Sequence, residues 1–499
     1  MDSTQNSDAT LPGMEQVSLN GPDPIDELIR LEESFNLHDR IFGIDRRVPI
    51  LDGRCIPYIN LDNAASTPPL AEVMKAVEEF MPYYSSVHRG TGFKSRLSTA
   101  AYDKAHEIIG HFVGADLNTN TVIFGKNTTE VLNKLSYRLE IPEGQVVITT
   151  RLEHHSNDLP WRDRASVVHV KAAKDGRFDE EDFDRLLEEY KGRIGLVTIT
   201  GASNVTGFIQ PIHRLARKAH AAGTRILIDA AQLAPHRKID MKPDNDPEHL
   251  DFVVLAAHKM YAPFGTGALI GPKEVFLKGR PEYSGGGTVN VVTEDEVYWG
   301  GTPDRDEAGS PNVPGAVAMA AAAKALMNIG MDKIAEHERV LTAYCLERLR
   351  SISGITIYGE TDPAKADGKV GVIPFNLEGV PHFLLSAILG YEGGIGVRSG
   401  CFCAHPYVVH LLNLSNEEAE SWRTQMLEGD KSNMPGMVRI SFGCYNTMED
   451  IDKLLEMVEK ISRGEYSGKY RLVKKSGEYI PENYEDSFEH YFSLDDKGK

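Results

Sequence analysis

The feature that most constrains the fold is an alternation of short β-branched runs with segments of helical period. The helical segments include residues 180–190 and 212–222, and Pro211 and Gly223 bound the second as helix-end preferences require. The apolar runs have no polar face, which indicates strands of a sheet that is covered on both sides. They are TVIF (121–124), QVVIT (145–149), SVVHV (166–170), LVTIT (196–200), RILID (225–229) and DFVVL (251–255). This alternation predicts an α/β fold with a mainly parallel, doubly wound sheet.

The length of the chain predicts more than one domain, because 499 residues exceed the size at which a single hydrophobic core stops growing. An alanine-rich helix (about 315–328) and a second long helix (about 332–353) follow the sheet and lead into a smaller α+β domain. An amphipathic stretch near residues 24–37 lies in the N-terminal extension, before the large domain. The charged, tyrosine-rich end of the chain is expected to wrap around the two domains or a partner subunit. We predict an N-terminal extension (1–48), a large domain (49–320), a small C-terminal domain (321–465) and a C-terminal tail (466–499).

Charge and cysteine content exclude several kinds of function. With 54 Lys and Arg against 73 Asp and Glu, the net charge is −19, which repels nucleic acid and anionic membranes. The first residues lack a basic region followed by an apolar one, and no apolar run reaches the roughly 18 residues of a membrane span. We therefore expect a cytoplasmic protein. Five cysteines, an odd and sparse set, indicate reduced thiols rather than a disulfide framework.

Polar residues directly after the strands mark the expected ligand site, because ligands of doubly wound sheets bind at the carboxyl ends of the strands. A lysine and an aspartate at two such ends suit a pyridoxal ring. The amine condenses with the aldehyde as a Schiff base, and the carboxylate keeps the ring nitrogen protonated. Each residue alone is more often a helix cap or a solvated charge, so the prediction depends on their joint occurrence. Four strand ends carry His154 with His155, Asn204, Asp229 with Gln232, and His258 with Lys259.

The segment VIFGKNTTEVLNKLS (122–136) predicts a place for a phosphate group. It reads as a strand, a turn at Gly125, and a helix that begins at Thr128 and Thr129. Free N–H groups and the positive end of the helix dipole favour a dianion there. A threonine at a helix start also serves as an ordinary cap, so both interpretations remain open at this point.

Eleven short motifs follow one another along the chain, and their order is more specific than any one of them. They are NLDNAAST (60–67), SSVHRG (85–90), NTTEVLN (127–133), LEHHSNDLPW (152–161), SNVTG (203–207), DAAQ (229–232), AAHKMYAPFGTGAL (256–269), SGGG (284–287), EAGSPN (307–312), VRSGCFCAHP (397–406) and RISFGCYNT (439–447). Over about residues 48–465 the chain resembles the class V aminotransferase-fold enzymes, most closely the cysteine desulfurase and selenocysteine lyase branch. The resemblance implies a pyridoxal-phosphate-dependent transferase fold of type I.

The resemblance also implies roles for the residues that occupy the family's cofactor-binding positions. It implies that His154 stacks on the pyridine ring, that Asp229 pairs with the ring nitrogen, and that Lys259 carries the cofactor. Asn204 and Gln232 would contact the ring substituents. Residues expected to hold the phosphate are Thr128, Thr129, His258 and Ser310 of the partner subunit, so the resemblance implies a homodimer with shared sites.

On the substrate side, the resemblance implies that Arg439 clamps the substrate carboxylate, for which a bidentate guanidinium is suited. Four further residues lie in segments expected to line the substrate mouth: Asn63, Ala64, His88 and Arg398. Together these positions imply removal of sulfur from L-cysteine, with L-alanine as the product and a sulfur-acceptor protein as a further partner. Selenocysteine lyase, transaminase and epimerase activities remain alternatives on the same scaffold.

Cys403 matches the position of the nucleophilic cysteine in the desulfurase branch. A thiolate there would attack the substrate sulfur and become a persulfide, with His405 and Arg398 expected to lower the pKa of the thiol. The alternative interpretation is that Cys403 is a small buried apolar residue. A zinc site of Cys401, Cys403 and His405 is disfavoured by the spacing and by the lack of a second cysteine pair, so no metal site is predicted.

Two residues depart from the family pattern. Ala256 stands where a serine is common, so one hydroxyl to the phosphate is missing. Cys401 makes the loop Cys-Phe-Cys, as in molybdenum-cofactor sulfurases, and is a candidate thiol for sulfur relay. Residues 408–435 are interpreted as a helix and polar loop inserted at the surface, with a lid or a docking site for a sulfur acceptor as alternatives.

Two other classes of function fit the sequence less well. A non-catalytic carrier with a structural cofactor is disfavoured by the intact set of Lys259, Asp229 and Arg439. A nucleotide-binding oxidoreductase is disfavoured because no G-x-G-x-x-G motif occurs at a strand end.

Overall fold

The predicted strands form one seven-stranded sheet in the computed structural model, which describes residues 35–482 and 484–495. The order is β1-β7-β6-β5-β4-β2-β3. Strands β2 to β6 are parallel to one another, and β7 is antiparallel to both β6 and β1. The strands are β1 (Asn120–Gly125), β2 (Val146–Thr150), β3 (Ser166–Val170), β4 (Ile194–Thr200), β5 (Ile226–Asp229), β6 (Phe252–Ala256) and β7 (Gly267–Pro272). The mainly parallel, doubly wound sheet is confirmed, and β7 is a strand that the apolar runs did not reveal.

Helices cover both faces of this sheet, as the strands without a polar face required. Alternate residues of a strand enter different cores: Ile148 packs in one with Leu215, and Val147 packs in the other with Leu135 and Trp161. The helices of this part are α1 (Ala71–Phe80), α2 (Phe93–Phe112), α3 (Thr128–Arg138), α4 (Leu159–Arg162), α5 (Glu180–Glu189), α6 (Ile212–Ala221), α7 (Lys273–Leu277) and α8 (Val313–Ile329).

Helix ends fall close to the positions that the sequence indicated. Pro211 is the N-cap of α6, and Gly223 adopts a φ of 79° just beyond its end, a conformation that glycine reaches without strain. Helix α8 is alanine-rich because it packs closely against both α1 and α2, and most of its residues are buried. A second long helix, α9 (Met331–Leu349), follows at Gly330.

A four-stranded antiparallel sheet forms the smaller α+β part of the fold. Its strands are β8 (Ile355–Ile357), β9 (Val372–Leu377), β10 (Arg398–Gly400) and β11 (Met437–Ser441), in the order β8-β9-β11-β10. Helices α9, α10 (His382–Gly393) and α13 (Met448–Ser462) supply its core. Ile59 and Leu61 join that core, although they precede the large sheet in sequence. Two short helices, α11 (His405–Leu411) and α12 (Asn416–Leu427), lie between β10 and β11.

Short hairpins and 3-10 turns complete the described chain. Glu392 of α10 accepts hydrogen bonds from Ser467 and Tyr470, so the start of the C-terminal tail lies against the smaller sheet's helices. Most of the amphipathic stretch at 24–37 falls outside the described residues. The hairpin strands are Arg47–Pro49 with Cys55–Pro57, Val289–Val292 with Val297–Trp299, and Tyr470–Leu472 with Tyr479–Pro481, and a parallel pair joins Ile59–Asn60 to Ile395–Gly396.

Within the described part of the chain, no single helix combines the length and apolar character of a membrane span. Helices α8 and α9 meet such a test only as a pair that meets at 77°, and both contribute many residues to the buried cores.

Candidate active site

A cavity of about 250 Å³ opens at the carboxyl ends of the parallel strands, where the smaller sheet meets the larger one. This is the edge at which the topology of a doubly wound sheet places ligands. The cavity brings together twelve of the predicted site residues: Ala64, Thr128, Thr129, His154, Asn204, Asp229, Gln232, His258, Lys259, Arg398, Cys403 and Arg439.

Lys259 and Asp229 face each other across this cavity from the ends of β6 and β5. The Lys259 amine donates a hydrogen bond to Gln232 Oε1 at 3.2 Å. Burial lowers the pKa of Lys259 to about 8, although the Asp229 carboxylate opposes the shift. Burial raises the pKa of Asp229, and a hydrogen bond from the Ala231 N–H opposes that change. An amine with this pKa is neutral in a useful fraction of molecules near neutral pH, as a nucleophile must be.

Two histidines beside Lys259 are uncharged. Burial, and then the Lys259 cation, lower the pKa of His154 to about 3, and burial lowers the pKa of His258 to about 4. His154 Nδ1 accepts a hydrogen bond from the Ser156 N–H at 3.1 Å, so the ring proton is on Nε2. A neutral, oriented imidazole is suited to stacking on an aromatic ring.

The start of helix α3 has free N–H groups and hydroxyls at the cavity. Asn127, rather than a threonine, caps the helix by accepting a hydrogen bond from the Glu130 N–H at 2.9 Å. Thr128 Oγ1 donates to the Leu255 carbonyl at 2.9 Å, and Thr129 Oγ1 lies 2.7 Å from Ser156 Oγ. Neither threonine is therefore the N-cap of this helix. Ser156, which the motifs did not single out, supplies a hydroxyl to the cavity. Ala256, at the position where a serine is common, supplies none.

Arg439 reaches the cavity from β11 and is almost fully buried. It donates to the Asn204 carbonyl at 2.9 Å and to Asp62 Oδ1 at 2.8 Å, while its Nε has no hydrogen-bond partner among the described residues. Its guanidinium carbon lies 4.8 Å from the centre of the Phe402 ring. A buried cation with an unsatisfied N–H is suited to a carboxylate. Arg398 is more exposed and lies 3.6 Å from Asp62 Oδ2.

Cys403 is exposed, so the structure does not support its interpretation as a small buried apolar residue. It has a φ of 55° and Phe402 a φ of 52°, so two consecutive side chains adopt the left-handed conformation that residues other than glycine rarely take. The His155 N–H holds the Cys403 carbonyl at 2.8 Å, and Asn204 Nδ2 holds the Phe402 carbonyl at 2.8 Å. The strained loop presents the thiol to the cavity of Lys259.

Cys401 and His405 differ in surroundings from Cys403. Cys401 is buried, its Sγ donates to the Pro435 carbonyl at 3.1 Å, and burial raises its pKa to about 12. This environment disfavours a thiolate and therefore a relay role in this conformation. Burial lowers the pKa of His405, which stacks on His155 at 4.8 Å and against Trp422 at 5.7 Å. A neutral His405 supplies no positive charge to stabilise a thiolate on Cys403.

Three predicted residues lie outside this cavity. Asn63 is buried behind Ala64, where its Nδ2 donates to the carbonyls of Asn60 and Ser441. His88 and Ser310 line a separate cavity of about 510 Å³. In one chain, then, neither His88 nor Ser310 meets Lys259.

Glu153 is a buried carboxyl group behind the cavity that the motifs did not single out. It accepts hydrogen bonds from Thr150 Oγ1 at 2.7 Å, from the Thr200 N–H at 2.9 Å and from Asn157 Nδ2 at 2.7 Å. Burial raises the pKa of Glu153 to about 8. These bonds fix the backbone just before His154. Its position next to His154 in the motif LEHHSNDLPW was the available signal.

Gln232 is positioned by a buried chain of polar groups that leads into α9. Its Nε2 lies 3.2 Å from His236 Nε2, and His236 Nδ1 lies 2.7 Å from Glu338 Oε1. Arg237 pairs with the other oxygen of Glu338. Because Glu338 favours the proton on His236 Nδ1, His236 Nε2 accepts from Gln232, and Gln232 Oε1 is left to face Lys259.

The fold and this group of side chains define a class of protein. A partly buried amine, a carboxylate at the next strand end, a neutral imidazole and a helix start with hydroxyls are the groups that bind pyridoxal phosphate in an α/β enzyme. The residues present therefore fit the cofactor, and the chain has the site of a pyridoxal-phosphate-dependent enzyme.

Comparison with known proteins gives the family. The aminotransferase class-V family model matches residues 59–454. A cysteine desulfurase of Haloferax volcanii is 32% identical over 447 residues, which cover 87% of this chain and 97% of that protein. A probable cysteine desulfurase of Halalkalibacterium halodurans is 34% identical over 436 residues, covering 85% and 98% respectively. The chain belongs to the aminotransferase class-V family, and it is a pyridoxal-phosphate-dependent enzyme.

Solved structures agree with this assignment. The apo structure of a cysteine desulfurase from Thermococcus onnurineus matches with a TM-score of 0.71 and 29% identity, covering 82% of this chain and 95% of that one. The cysteine desulfurase CsdA of Escherichia coli matches with a TM-score of 0.67 and 27% identity, covering 82% and 96%. The expected fold and the expected resemblance to cysteine desulfurases are confirmed.

Proposed function

We propose that this enzyme removes sulfur from L-cysteine, producing L-alanine and a persulfide on Cys403. The observation that carries the proposal is the exposed Cys403 thiol, held by a strained loop at the same cavity as Lys259 and Arg439. The names of the relatives, cysteine desulfurase in Haloferax volcanii and in Thermococcus onnurineus, support it.

The residues around the cofactor have separate tasks in this proposal. Bound there, pyridoxal phosphate supplies an aldehyde that bonds covalently to an amine and a ring that draws electrons from the substrate carbon. Lys259 offers the amine and can hold a proton. Asp229 would hold the ring nitrogen, and His154 would stack on the ring. The residues that would hold the phosphate are Thr128, Thr129, Ser156 and His258.

Arg439 is proposed to bind the substrate carboxylate. In the structure Asp62 Oδ1 occupies one of its N–H groups at 2.8 Å, so a carboxylate would share or replace that partner. Arg398 lies 3.6 Å from the other oxygen of Asp62, and it too can exchange this carboxylate for that of the substrate. A guanidinium binds a carboxylate in a two-bonded geometry, which fixes the orientation of the amino acid.

In sulfur transfer the two reacting sulfur atoms are those of Cys403 and of the substrate, while the bound cofactor would supply the electron sink. The Cys403 thiolate attacks the substrate sulfur, an S–S bond forms, and the bond between that sulfur and the substrate's β carbon breaks. The electron pair of the broken bond stays with the substrate, whose β carbon takes up a proton and becomes the methyl group of alanine. The enzyme retains one more sulfur atom, and no external oxidant is needed.

We also propose a homodimer and a sulfur-acceptor protein as partners. The homodimer is supported by Ser310, which lies away from Lys259 in its own chain and is proposed to complete the phosphate site of the partner. The exposed aromatic side chain of Tyr84, which lines the same cavity as Ser310, supports a contact surface there. The acceptor would receive the terminal sulfur of the exposed Cys403 persulfide.

Replacement of the nucleophile tests the proposed function. Cys403→Ala is expected to reduce alanine formation from L-cysteine by at least about 100-fold, because the attacking thiol is gone while the cofactor contacts remain. Alanine and sulfide are measured with a reductant present, and the cofactor's visible spectrum is recorded with and without L-cysteine.

Cys55→Ala is the matched control, since Cys55 is also exposed but lies on a peripheral hairpin. It should retain full activity. Full activity of Cys403→Ala toward L-cysteine would show that the nucleophile is another group, and a spectrum unchanged by any amino acid would refute the enzymatic role. Comparison of L-cysteine with L-selenocysteine separates the desulfurase from a selenocysteine lyase.

A further inference from the structure

Two histidines and an aspartate converge at the opposite end of the large sheet from Lys259. Asp251 directly precedes β6, whereas Lys259 lies just beyond its other end. His220 is in the last turn of α6, and His249 comes from the loop that leads to Asp251. One ligand atom of each of the three residues lies within 4.8 Å of the others.

The two imidazoles are oriented by the backbone in the same way. His220 Nδ1 hydrogen-bonds the Pro247 carbonyl at 2.8 Å, and His249 Nδ1 hydrogen-bonds the Asp246 carbonyl at 2.7 Å. A carbonyl only accepts, so each Nδ1 carries a proton and Nε2 is the ring nitrogen left to bind a ligand. A hydrogen bond from the second nitrogen to a carbonyl is the usual support of a metal-binding histidine.

Both Nε2 atoms point at one carboxylate. His220 Nε2 lies 2.9 Å from Asp251 Oδ2, and His249 Nε2 lies 3.5 Å from Asp251 Oδ1. Ligands of a tetrahedral zinc ion at 2.0 to 2.2 Å are separated by about 3.4 Å, so these two distances bracket the separation required. The Ile226 N–H donates to Asp251 Oδ2 at 2.8 Å and anchors the carboxylate at the sheet edge.

Asp251 is the carboxylate that the two rings share, and the arginine near it has a second partner. The imidazole rings are stacked at 4.2 Å with an interplanar angle of 18°, so the two side chains lie side by side. Arg225 Nε is 3.9 Å from Asp251 Oδ1, but this arginine also pairs with Glu274 at 2.5 Å. One divalent cation satisfies both lone pairs and the carboxylate together.

We infer that His220, His249 and Asp251 form a binding site for a divalent transition-metal cation, with zinc as the cation best matched to two imidazoles and a carboxylate. The side chains of His220 and His249 are 18% and 19% exposed, which leaves a fourth position for water. The site joins the end of α6 to the amino ends of β5 and β6. Its role is structural, since it lies away from the carboxyl edge where Lys259 acts, and it departs from the sequence prediction of no metal.

Zinc titration of the cofactor-loaded enzyme tests the site. Calorimetry with ZnCl₂ after chelator dialysis is expected to show one more high-affinity zinc per chain in the natural enzyme than in His220→Gln or His249→Gln. Loss of one ligand should weaken binding by about 100-fold or more. Zinc should raise the melting temperature of the natural enzyme but not that of either variant.

His213→Gln is the matched control, because His213 also lies on α6 and bonds a carbonyl of the same loop through Nδ1, at 2.9 Å from Glu248, yet is not in the cluster. It should bind zinc as the natural enzyme does. His249 is a loop residue, so its variant remains informative if His220→Gln fails to fold. Equal zinc stoichiometry and affinity in both cluster variants and the natural enzyme would overturn the site, as would a zinc anomalous-scattering peak located elsewhere. Desulfurase activity decides neither outcome, so the result is independent of the proposed function.

Discussion

At the scale of single residues, the site depends on charges that burial has altered. Lys259, His154 and His258 all have a pKa below the ordinary value, and in each the removal of water from around the charged form is the main cause. Two neutral rings and a partly neutral amine therefore share a cavity with the permanent cation of Arg439. Positive charge is thus kept at Arg439, where the substrate carboxylate is expected, and is absent from His154, where the cofactor ring is expected to stack.

The pKa of Lys259 predicts how cofactor attachment depends on pH. Only the neutral amine bonds to the aldehyde, and its fraction rises as pH rises through the pKa of about 8. The rate of covalent cofactor uptake by the apoenzyme should rise about tenfold per pH unit below that value and level off above it. Stopped-flow absorbance gives the rate, and borohydride reduction with peptide mapping gives the position. A midpoint near the ordinary value of 10.5, or a pyridoxyl adduct on another lysine, would contradict this account.

At the scale of elements, α12 gives the inserted segment a contact with the cysteine loop. Trp422 on α12 stacks against His405, which stacks on His155, whose N–H holds the Cys403 carbonyl. The helix itself begins with a capping box at Ser415 and has no buried residue, so its own packing is slight. The stack of three rings therefore connects a surface helix to the strained backbone of the nucleophile.

Replacing Trp422 tests whether α12 positions the thiol. Trp422→Ala should lower the turnover of L-cysteine by about tenfold, since the loop loses a support, with little change in the absorbance of the bound cofactor. Trp422→Phe keeps an aromatic ring and should retain most of the activity. Reaction of Cys403 with a thiol reagent reports the loop directly. Equal reactivity and turnover in both variants and the natural enzyme would show that the segment is a passive insertion.

At the scale of the whole molecule, Glu338 links the two sheets electrostatically. It lies on α9 and neutralises Arg237, which follows the strand end of Asp229, and it also orients His236 toward Gln232. Burial raises the pKa of Glu338, but the neighbouring His236 and Arg237 outweigh this effect and lower it to about 2. A carboxyl group whose folded pKa is depressed stabilises the protein above its ordinary pKa of 4.5, and that stabilisation is lost as pH falls toward 2.

Glu338→Gln should therefore destabilise the enzyme by about 3 kcal/mol near neutral pH, because Arg237, whose side chain is only 17% exposed, is left without its counter-charge. The difference in the free energy of unfolding between Glu338→Gln and the natural enzyme should shrink as pH falls below about 4. Urea unfolding at several pH values measures it. Glu456→Gln, which removes an exposed pair with Lys460, is the control and should change stability little. A deficit for Glu338→Gln that is the same at every pH would refute the charge assignment.

Local sequence patterns are enough to predict the main sheet and the chemistry at its edge. Six apolar runs without a polar face can be buried only between two layers of helices, and residues placed directly after parallel strands must meet at one edge. Lys259, Asp229, His154 and Asn204 could therefore be selected from local position together with motif order. The missing strand β7 was less visible because its short run, Gly267–Pro272, is bounded by glycine and proline inside a longer motif.

The partners that tune this chemistry come together only through contacts between distant parts of the folded chain. Asp62 reaches Arg439 across 377 positions, and Glu338 reaches Arg237 across 101, distances in sequence that no local pattern connects. The same holds for burial, which makes Cys401 an unreactive thiol and His405 a neutral ring although both flank Cys403 in sequence. A pKa depends on the water and charge surrounding a group in space, and the chain acquires those surroundings only when it folds.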